Sequence, residues 1–253
     1  MSTLCLSKYQ GAGNDFILID DRRLQFPSEN RELIAHLCHR RFGVGADGLM
    51  LLQDPFRMRI FNSDGSEAAC CGNGIRCFAR FAFDLGLNPT HIQTEDRTVA
   101  IQRRGEEISV VVGAPSEMRL CLPTEKGEIH FAHLGVPHAV QFVDSVDPID
   151  IESLGPYFRR HAHFGRNGAN VNFASIQPDG SLRMRTFERG VEAETLACGT
   201  GACATVAIAS QLYGLSGAVP IQFPGGKLLI EISKGQIEMI GPAVKVFVAT
   251  VKI

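Results

Sequence analysis

The chain has 253 residues, of which 45% are apolar and 21% charged, with 25 basic against 27 acidic side chains. A chain of this length holds one large or two medium domains, each with its own core, and its composition excludes a long disordered tail. The near-neutral balance, without a Lys/Arg run, excludes an electrostatic footprint for nucleic acid or anionic lipid, so a small molecule is the expected partner.

From Met1 to Asp20 the apolar residues are interrupted by Lys8, Asn14 and Asp15, which does not make the apolar core of a signal peptide. No stretch reaches the roughly 18 apolar residues needed to cross a bilayer. A cytoplasmic location is therefore expected, where the eight cysteines at 5, 38, 70, 71, 77, 121, 198 and 203 stay reduced. Their spacings contain no Cys-x-x-Cys, so no structural metal is expected. Thiol chemistry or plain burial is left.

Short β-rich runs follow in chain order. Phe16–Asp20, Met58–Asn62, Thr98–Gln102 and Ile108–Val112 are read as strands in the first half. Ala139–Val143, Val171–Ile176, Leu182–Phe187, Lys227–Ile232 and Val244–Val251 are read as strands in the second, with a turn at Pro224-Gly225-Gly226. The segment Gly113–Pro123, with its glycine and two prolines, reads as a break between domains.

Each half also contains one strongly helical segment after a Cys-Gly-x-Gly sequence. The first is Cys71-Gly72-Asn73-Gly74 followed by IRCFARFAFDLGL, and the second is Cys198-Gly199-Thr200-Gly201 followed by ACATVAIASQLYGL. The two cysteines stand about half a chain apart, as duplication of one domain would leave them. Both segments read as apolar nearly all round, which places such helices inside a protein, and Gly86 and Gly214 stand where helices end. The expected fold is α+β, with two pseudo-symmetric domains. Each is a curved β-sheet wrapped around a buried central helix, and an active-site cleft lies between them. The domains are expected at residues 1–117 and 118–253, with the last strand returning to the N-terminal domain.

A helix N-terminus presents backbone N–H groups and a partial positive charge, which favours a carboxylate and favours thiolate over thiol. Two such turns, each with a cysteine, suggest one carboxylate held between two helix ends with a sulfur on either side of the adjoining carbon. Inverting a stereocentre needs that arrangement, because one group removes a proton from one face while another delivers a proton to the other. A cysteine before a helix is more often simply buried. Cys5, Cys38, Cys77, Cys121 and Cys203 are assigned to that class, and Cys70 is left open.

Three motifs then converge: Gly11-Ala12-Gly13-Asn14-Asp15-Phe16; Asn62-Ser63-Asp64-Gly65-Ser66-Glu67 leading into Cys71; and Glu188-Arg189-Gly190 leading into Cys198. Together they resemble diaminopimelate epimerases, with weaker similarity from Lys8 to the C-terminal strands. The resemblance implies conversion of LL- to meso-2,6-diaminopimelate for lysine and peptidoglycan synthesis, by a two-base mechanism without pyridoxal. It implies that Cys71 and Cys198 are the catalytic bases and that the N–H groups of Gly72, Asn73, Gly199 and Thr200 hold the reacting carboxylate. It further implies that Glu188 sits by the reacting amino group, that Asn14, Asn62, Asn170 and Arg189 grip the substrate, and that His138 tunes the thiols together with Glu188. A homodimer is an expectation from the resemblance alone.

Two departures stand out. The sequence reads Gly135-Val136-Pro137-His138 where the family carries an asparagine in place of Val136, and the loop Val191-Glu192-Ala193 is one residue longer than the family spacing. Losing one hydrogen bond to a charged substrate group costs about 1.5–3 kcal/mol, so racemisation of a shorter amino dicarboxylate such as glutamate is expected as well. Two other readings stay open. One is a different two-thiol racemase, such as a proline racemase, although those carry Cys-Gly-His in the first motif. The other is a non-catalytic carboxylate-binding or thiol redox protein.

Overall fold

Extended runs between turn-forming residues must find neighbours for their backbone N–H and C=O groups. The computed structural model, which describes residues 3–68, 72–233 and 235–253, shows where they find them. In chain order the elements are β1 (Thr3–Gly11), β2 (Asn14–Asp20), α1 (Arg31–Cys38), β3 (Gly48–Gln53), β4 (Arg57–Asn62), β5 (Glu67–Ala68), α2 (Gly72–Asp84), β6 (His91–Gln93), β7 (Thr98–Arg104) and β8 (Glu107–Gly113). There follow β9 (Glu117–Leu122), β10 (Ile129–Leu134), β11 (Val136–Phe142), α3 (Ile151–Arg159), β12 (Asn170–Ile176), β13 (Leu182–Glu188), β14 (Ala193–Thr195), α4 (Gly199–Tyr213), β15 (Gly217–Phe223), β16 (Gly226–Ser233), β17 (Gln236–Pro242) and β18 (Val244–Lys252).

The chain divides into two compact units, Met1–Val110 with Gly241–Ile253, and Val111–Ile240. Residue 117, expected to end the first domain, is the first residue of β9 in the second unit. The segment Gly113–Pro123, expected to interrupt the strands, contains β9, which pairs antiparallel with β10. Its glycine and prolines bound the strand instead of breaking it.

Strand neighbours in the first unit run β18, β1, β2, β3, β4, β6, β7, β8. In the second they run β9, β10, β11, β12, β13, β15, β16, β17. The two orders match step for step: the third strand is parallel to the fourth, the fifth is parallel to the sixth, and all other pairs are antiparallel. Short β5 and β14 fold back on β4 and β13 at the same place in each. Parallel neighbours need a crossover, usually helical, and α1 and α2 supply the two in the first unit as α3 and α4 do in the second. Matched topology is the structural counterpart of the repeated Cys-Gly-x-Gly sequence.

Each unit packs its strands against a central helix. Helix α4 packs against β10, β11, β12 and β16, and every residue from Gly201 to Ala209 is buried. Helix α2 packs against β1, β2, β3 and β18, but it is not apolar all round as expected. Arg76 is wholly buried, and Arg80 and Asp84 form an i,i+4 ion pair at 3.0 Å along a polar stripe that leads to exposed Leu85. Gly214 takes the left-handed conformation at the end of α4, with φ 70°; Gly86, two residues beyond α2, does so with φ 78°.

Two helices escape the sequence reading. Helix α1 is capped by Asn30, whose side chain accepts the Leu33 N–H at 3.0 Å, and α3 by Asp150, which accepts from Ser153 at 3.3 Å. Both caps fit the preferred residue types, but Gly155 and Pro156 sit inside α3 and mask its period. Gly155 is required there because a Cβ would lie 2.5 Å from the Phe187 ring.

Ile208, at the centre of α4, is fully buried against Ala132, Val140 and Ala204. Ile208→Ala is expected to lower stability by about 3 kcal/mol. Urea unfolding should then show a lower midpoint with an unchanged slope.

Candidate functional site

Cys198 is the N-cap of α4 and is 6% exposed. Its backbone is extended (φ −124°, ψ 105°), and its carbonyl accepts the Ala202 N–H at 2.9 Å, which closes the first helical turn. The sulfur therefore sits at the positive end of a buried helix, beside N–H groups of Gly199 and Thr200 that have no acceptor within the helix. Thr200 Oγ1 lies 3.9 Å from the sulfur.

Gly201 shows how tightly this turn is enclosed. A Cβ there would lie 2.3 Å from Asn172 Oδ1 and 3.2 Å from Cys198 Sγ, so Asn172 and the sulfur flank the same point. Asn172 is fully buried on β12. Its Nδ2 donates to the Ala139 carbonyl at 3.1 Å and lies 3.4 Å from His138 Nδ1, while its Oδ1 accepts the Thr186 hydroxyl at 3.0 Å. His138 is likewise fully buried, and among the described residues its Nε2 has no hydrogen-bond partner. Burial, reinforced by the charges of Arg189 and His133, pushes this imidazole down to about 3. It is neutral at physiological pH.

Asn170 lies two residues before Asn172 on β12, so their side chains share a face of the strand. Its Oδ1 accepts the Arg189 N–H at 2.8 Å, which fixes the turn after half-buried Glu188. The lengthened loop is also tied down. Glu192, with φ 56°, accepts from the Gly190 N–H at 3.1 Å and from Arg159 at 3.0 Å, and lies 3.6 Å from Arg160. Val136 opens β11 opposite Leu134, much as Asn14 opens β2 opposite Gly11.

In the first unit Gly72 starts α2 and Asn73 is buried, its Oδ1 accepting from Arg76 at 3.0 Å. Cys70 and Cys71 lie outside the described residues. The Gly11–Asn14 hairpin presses on this helix: a Cβ on Gly11 would lie 3.3 Å from Arg76 Nη2, Cys77 Sγ and the Pro242 carbonyl. Asn14 donates to Asp47 at 2.6 Å. Around it, Lys8 and Arg40 both pair with Asp15, at 2.6 and 2.7 Å, and Arg40 also reaches Asp47 at 2.6 Å. Lys8 donates to the Gly45 carbonyl as well. Asn62, at the exposed end of β4, donates to Ser66 at 3.0 Å.

Asn172, Thr186, Arg76 and the Lys8–Asp15–Arg40–Asp47 cluster were not read as site residues. Only strand register shows that Thr186 stands directly opposite Asn172, and register is not written in a single strand. Of the five cysteines assigned to burial, Cys38, Cys77 and Cys203 are buried, whereas Cys5 and Cys121 are exposed. Among the described residues one group has metal-ligand composition: Cys121, Glu128 and His130, with ligand atoms within 4.8 Å of one another. His130 Nδ1 accepts the Cys121 N–H at 3.0 Å. The neutral ring therefore carries its proton on Nε2, which faces Glu128 at 3.8 Å, and no ring lone pair is left for a cation. No helix among the described residues is long and apolar enough to cross a membrane.

The sequence matches the family described as Diaminopimelate epimerase over residues 6–118 and 130–246. The chain belongs to the diaminopimelate epimerase family. A Cyanothece sp. diaminopimelate epimerase is 41% identical, covering 97% of this chain and 98% of its own. One from Methanocella arvoryzae is 39% identical, covering 98% and 96%. Among solved structures, a putative phenazine biosynthesis protein from Clostridium difficile superposes with a TM-score of 0.78 at 12% identity, covering 99% of this chain and 100% of the other. A hydroxyproline epimerase from Agrobacterium vitis, solved with trans-4-hydroxy-L-proline bound, gives 0.68 at 17%, covering 99% and 91%. At those identities the likeness concerns the fold alone. Membership of the diaminopimelate epimerase family makes the chain an isomerase, and its two-unit α+β architecture is the one expected from the sequence.

The cluster that holds Asn14 has a measurable acid signature. Burial raises the Asp15 carboxyl, but hydrogen bonds and charge from Arg40 and Lys8 outweigh it and hold the group at about 2. A carboxyl depressed on folding stabilises the protein above its unfolded value near 3.9 and loses that contribution as the pH falls towards the folded value. Between pH 5 and pH 2 the loss at Asp15 is expected to be about 2 kcal/mol. Urea unfolding across that range should give a shallower decline in Asp15→Asn than in the parent.

Proposed function

We infer that this chain interconverts LL- and meso-2,6-diaminopimelate by passing protons between Cys71, Cys198 and the substrate Cα. The observation that carries this reading is Cys198 itself, a buried thiol at the N-terminus of a buried helix, with a second Cys-Gly-x-Gly sequence at the matching place in the first unit. One sulfur, as thiolate, takes the α-proton from one face while the other, as thiol, gives a proton to the opposite face. The electron pair left on Cα delocalises into the carboxylate, which gains enediolate character. Backbone N–H groups of Gly72, Asn73, Gly199 and Thr200 aimed at that carboxylate lower the cost of the added charge. The gap to be closed between the α-proton and a thiol is on the order of ten pKa units, each worth ~1.4 kcal/mol.

Substrate binding follows the same division. Glu188 takes the reacting ammonium. Asn14, Asn62, Asn170 and Arg189 hold the distal amino-acid end, where Arg can fork onto a carboxylate and amides serve either charge. His138, neutral and buried in the neighbourhood of Cys198, tunes the thiol chemistry together with Glu188. Self-association into a homodimer is supported by β18, which pairs with β1 and exposes Val244, Val246, Phe247 and Val248. A cytoplasmic location, as expected from the sequence, accords with this reading.

In D2O the protein is expected to incorporate one solvent deuterium at Cα for each inversion of diaminopimelate, and Cys198→Ala to abolish it. A parent enzyme that leaves Cα protium in place, or a Cys198→Ala variant that exchanges at the parent rate, removes the reading and favours a binder or thiol redox protein. Val136 supplies no hydrogen bond where β11 opens, so selectivity for a second amino-acid head is reduced and L-glutamate is racemised slowly. Polarimetry at high enzyme concentration should show loss of rotation that disappears in Cys198→Ala, and constant rotation in the parent ends the proposal of relaxed specificity.

A further inference from the structure

The orientation of the Asn172 amide is set from two sides. Thr186 Oγ1 donates to Oδ1 at 3.0 Å, and Nδ2 donates to the Ala139 carbonyl at 3.1 Å. Turning the amide over would set Oδ1 against the Ala139 carbonyl, acceptor against acceptor, in a fully buried place. The second N–H of Nδ2 is therefore the group that faces His138 Nδ1 at 3.4 Å. A ring nitrogen facing a donor serves as acceptor, so the proton of the neutral imidazole belongs on Nε2. That Nε2 is buried and has no partner among the described residues, and a buried N–H of this kind is costly unless an acceptor meets it.

We propose that Thr186 and Asn172 are positioning residues that lock His138 as its Nε2–H tautomer, so that the residue assigned above to tuning the thiols does so as a neutral buried donor. The proposal rests on the epimerase reading above for the thiol chemistry, but the tautomer itself is a property of the free protein. A neutral donor suits this role better than an imidazolium. It can hydrogen-bond a thiolate without neutralising it, and it does not titrate over the working pH range. The charged or titratable groups that act on the ring are Arg189 and His133, both of which oppose its protonation. Asn172 also lies against Gly201, so the same amide that orients His138 borders the first turn of α4.

The test uses full-length protein labelled with 15N histidine, with the His138 signals assigned by comparison with His138→Gln. In the parent at pH 7, His138 is expected to be neutral with its proton on Nε2. Thr186→Val keeps the shape of the side chain but removes the hydroxyl. It is expected to release the amide, mix the two tautomers and lower kcat on diaminopimelate about tenfold, the loss of roughly one hydrogen bond, with KM little changed. Thr186→Ser should restore both the tautomer and kcat. Asn172→Asp, where it folds, should move the proton to Nδ1. A parent His138 protonated on Nδ1 or charged at pH 7 overturns the proposal, as does Thr186→Val with parental kcat, or with lower kcat and an unaltered tautomer. A parent with the Nε2–H ring but no epimerase activity overturns the epimerase reading and keeps the lock.

Discussion

A helix buried on every side cannot leave its first backbone N–H groups without acceptors, and this constraint shapes the second unit of the protein. Helix α4 is apolar around its whole circumference, so four strands must close over it, and its N-terminus becomes a place where polar atoms are required inside the fold. Cys198, Thr200, Asn172, Thr186 and His138 gather there because that end of the helix is where buried polarity is useful. Helix α2 carries different side chains at its start. Its first turn engages Arg76 and Asn73, and a fully buried guanidinium takes up space that apolar side chains fill in α4.

The two units thus share an order of strands but not a chemistry. Where the second unit places a neutral histidine and hydrogen-bonded amides around its helix, the first places Lys8, Asp15, Arg40 and Asp47 around its opening hairpin. The matched strand orders and the repeated motif are what duplication of one domain would leave, while the side chains around each helix end differ.

The sequence made the repeat visible because Cys-Gly-x-Gly is rare and its copies precede helices strong enough to be recognised. The strands named from it lie within, or one residue beyond, those of the structure, since β-branched runs between glycine and proline carry a period of two. What stayed hidden depends on neighbours in space. The pairing of Thr186 with Asn172 is set by the register of β12 against β13, and α3 is obscured by Pro156 and by Gly155, which the packing on Phe187 demands. Gly113 and Pro123 stand close to the division between the units at Val110 and Val111, yet they bound β9 instead of interrupting the strands, because punctuation residues mark the limits of a strand as readily as its absence.

The second unit is an insertion: residues 111–240 separate Met1–Val110 from the closing segment Gly241–Ile253. Strand β18 in that segment is the partner of β1 from Thr3 to Gln10. During synthesis β1 therefore waits for β18, which is made after every strand of the second unit. The order in which the two sheets are completed is thus the reverse of the order in which they are begun. The earliest-made half of the protein is the later of the two to have its sheet completed.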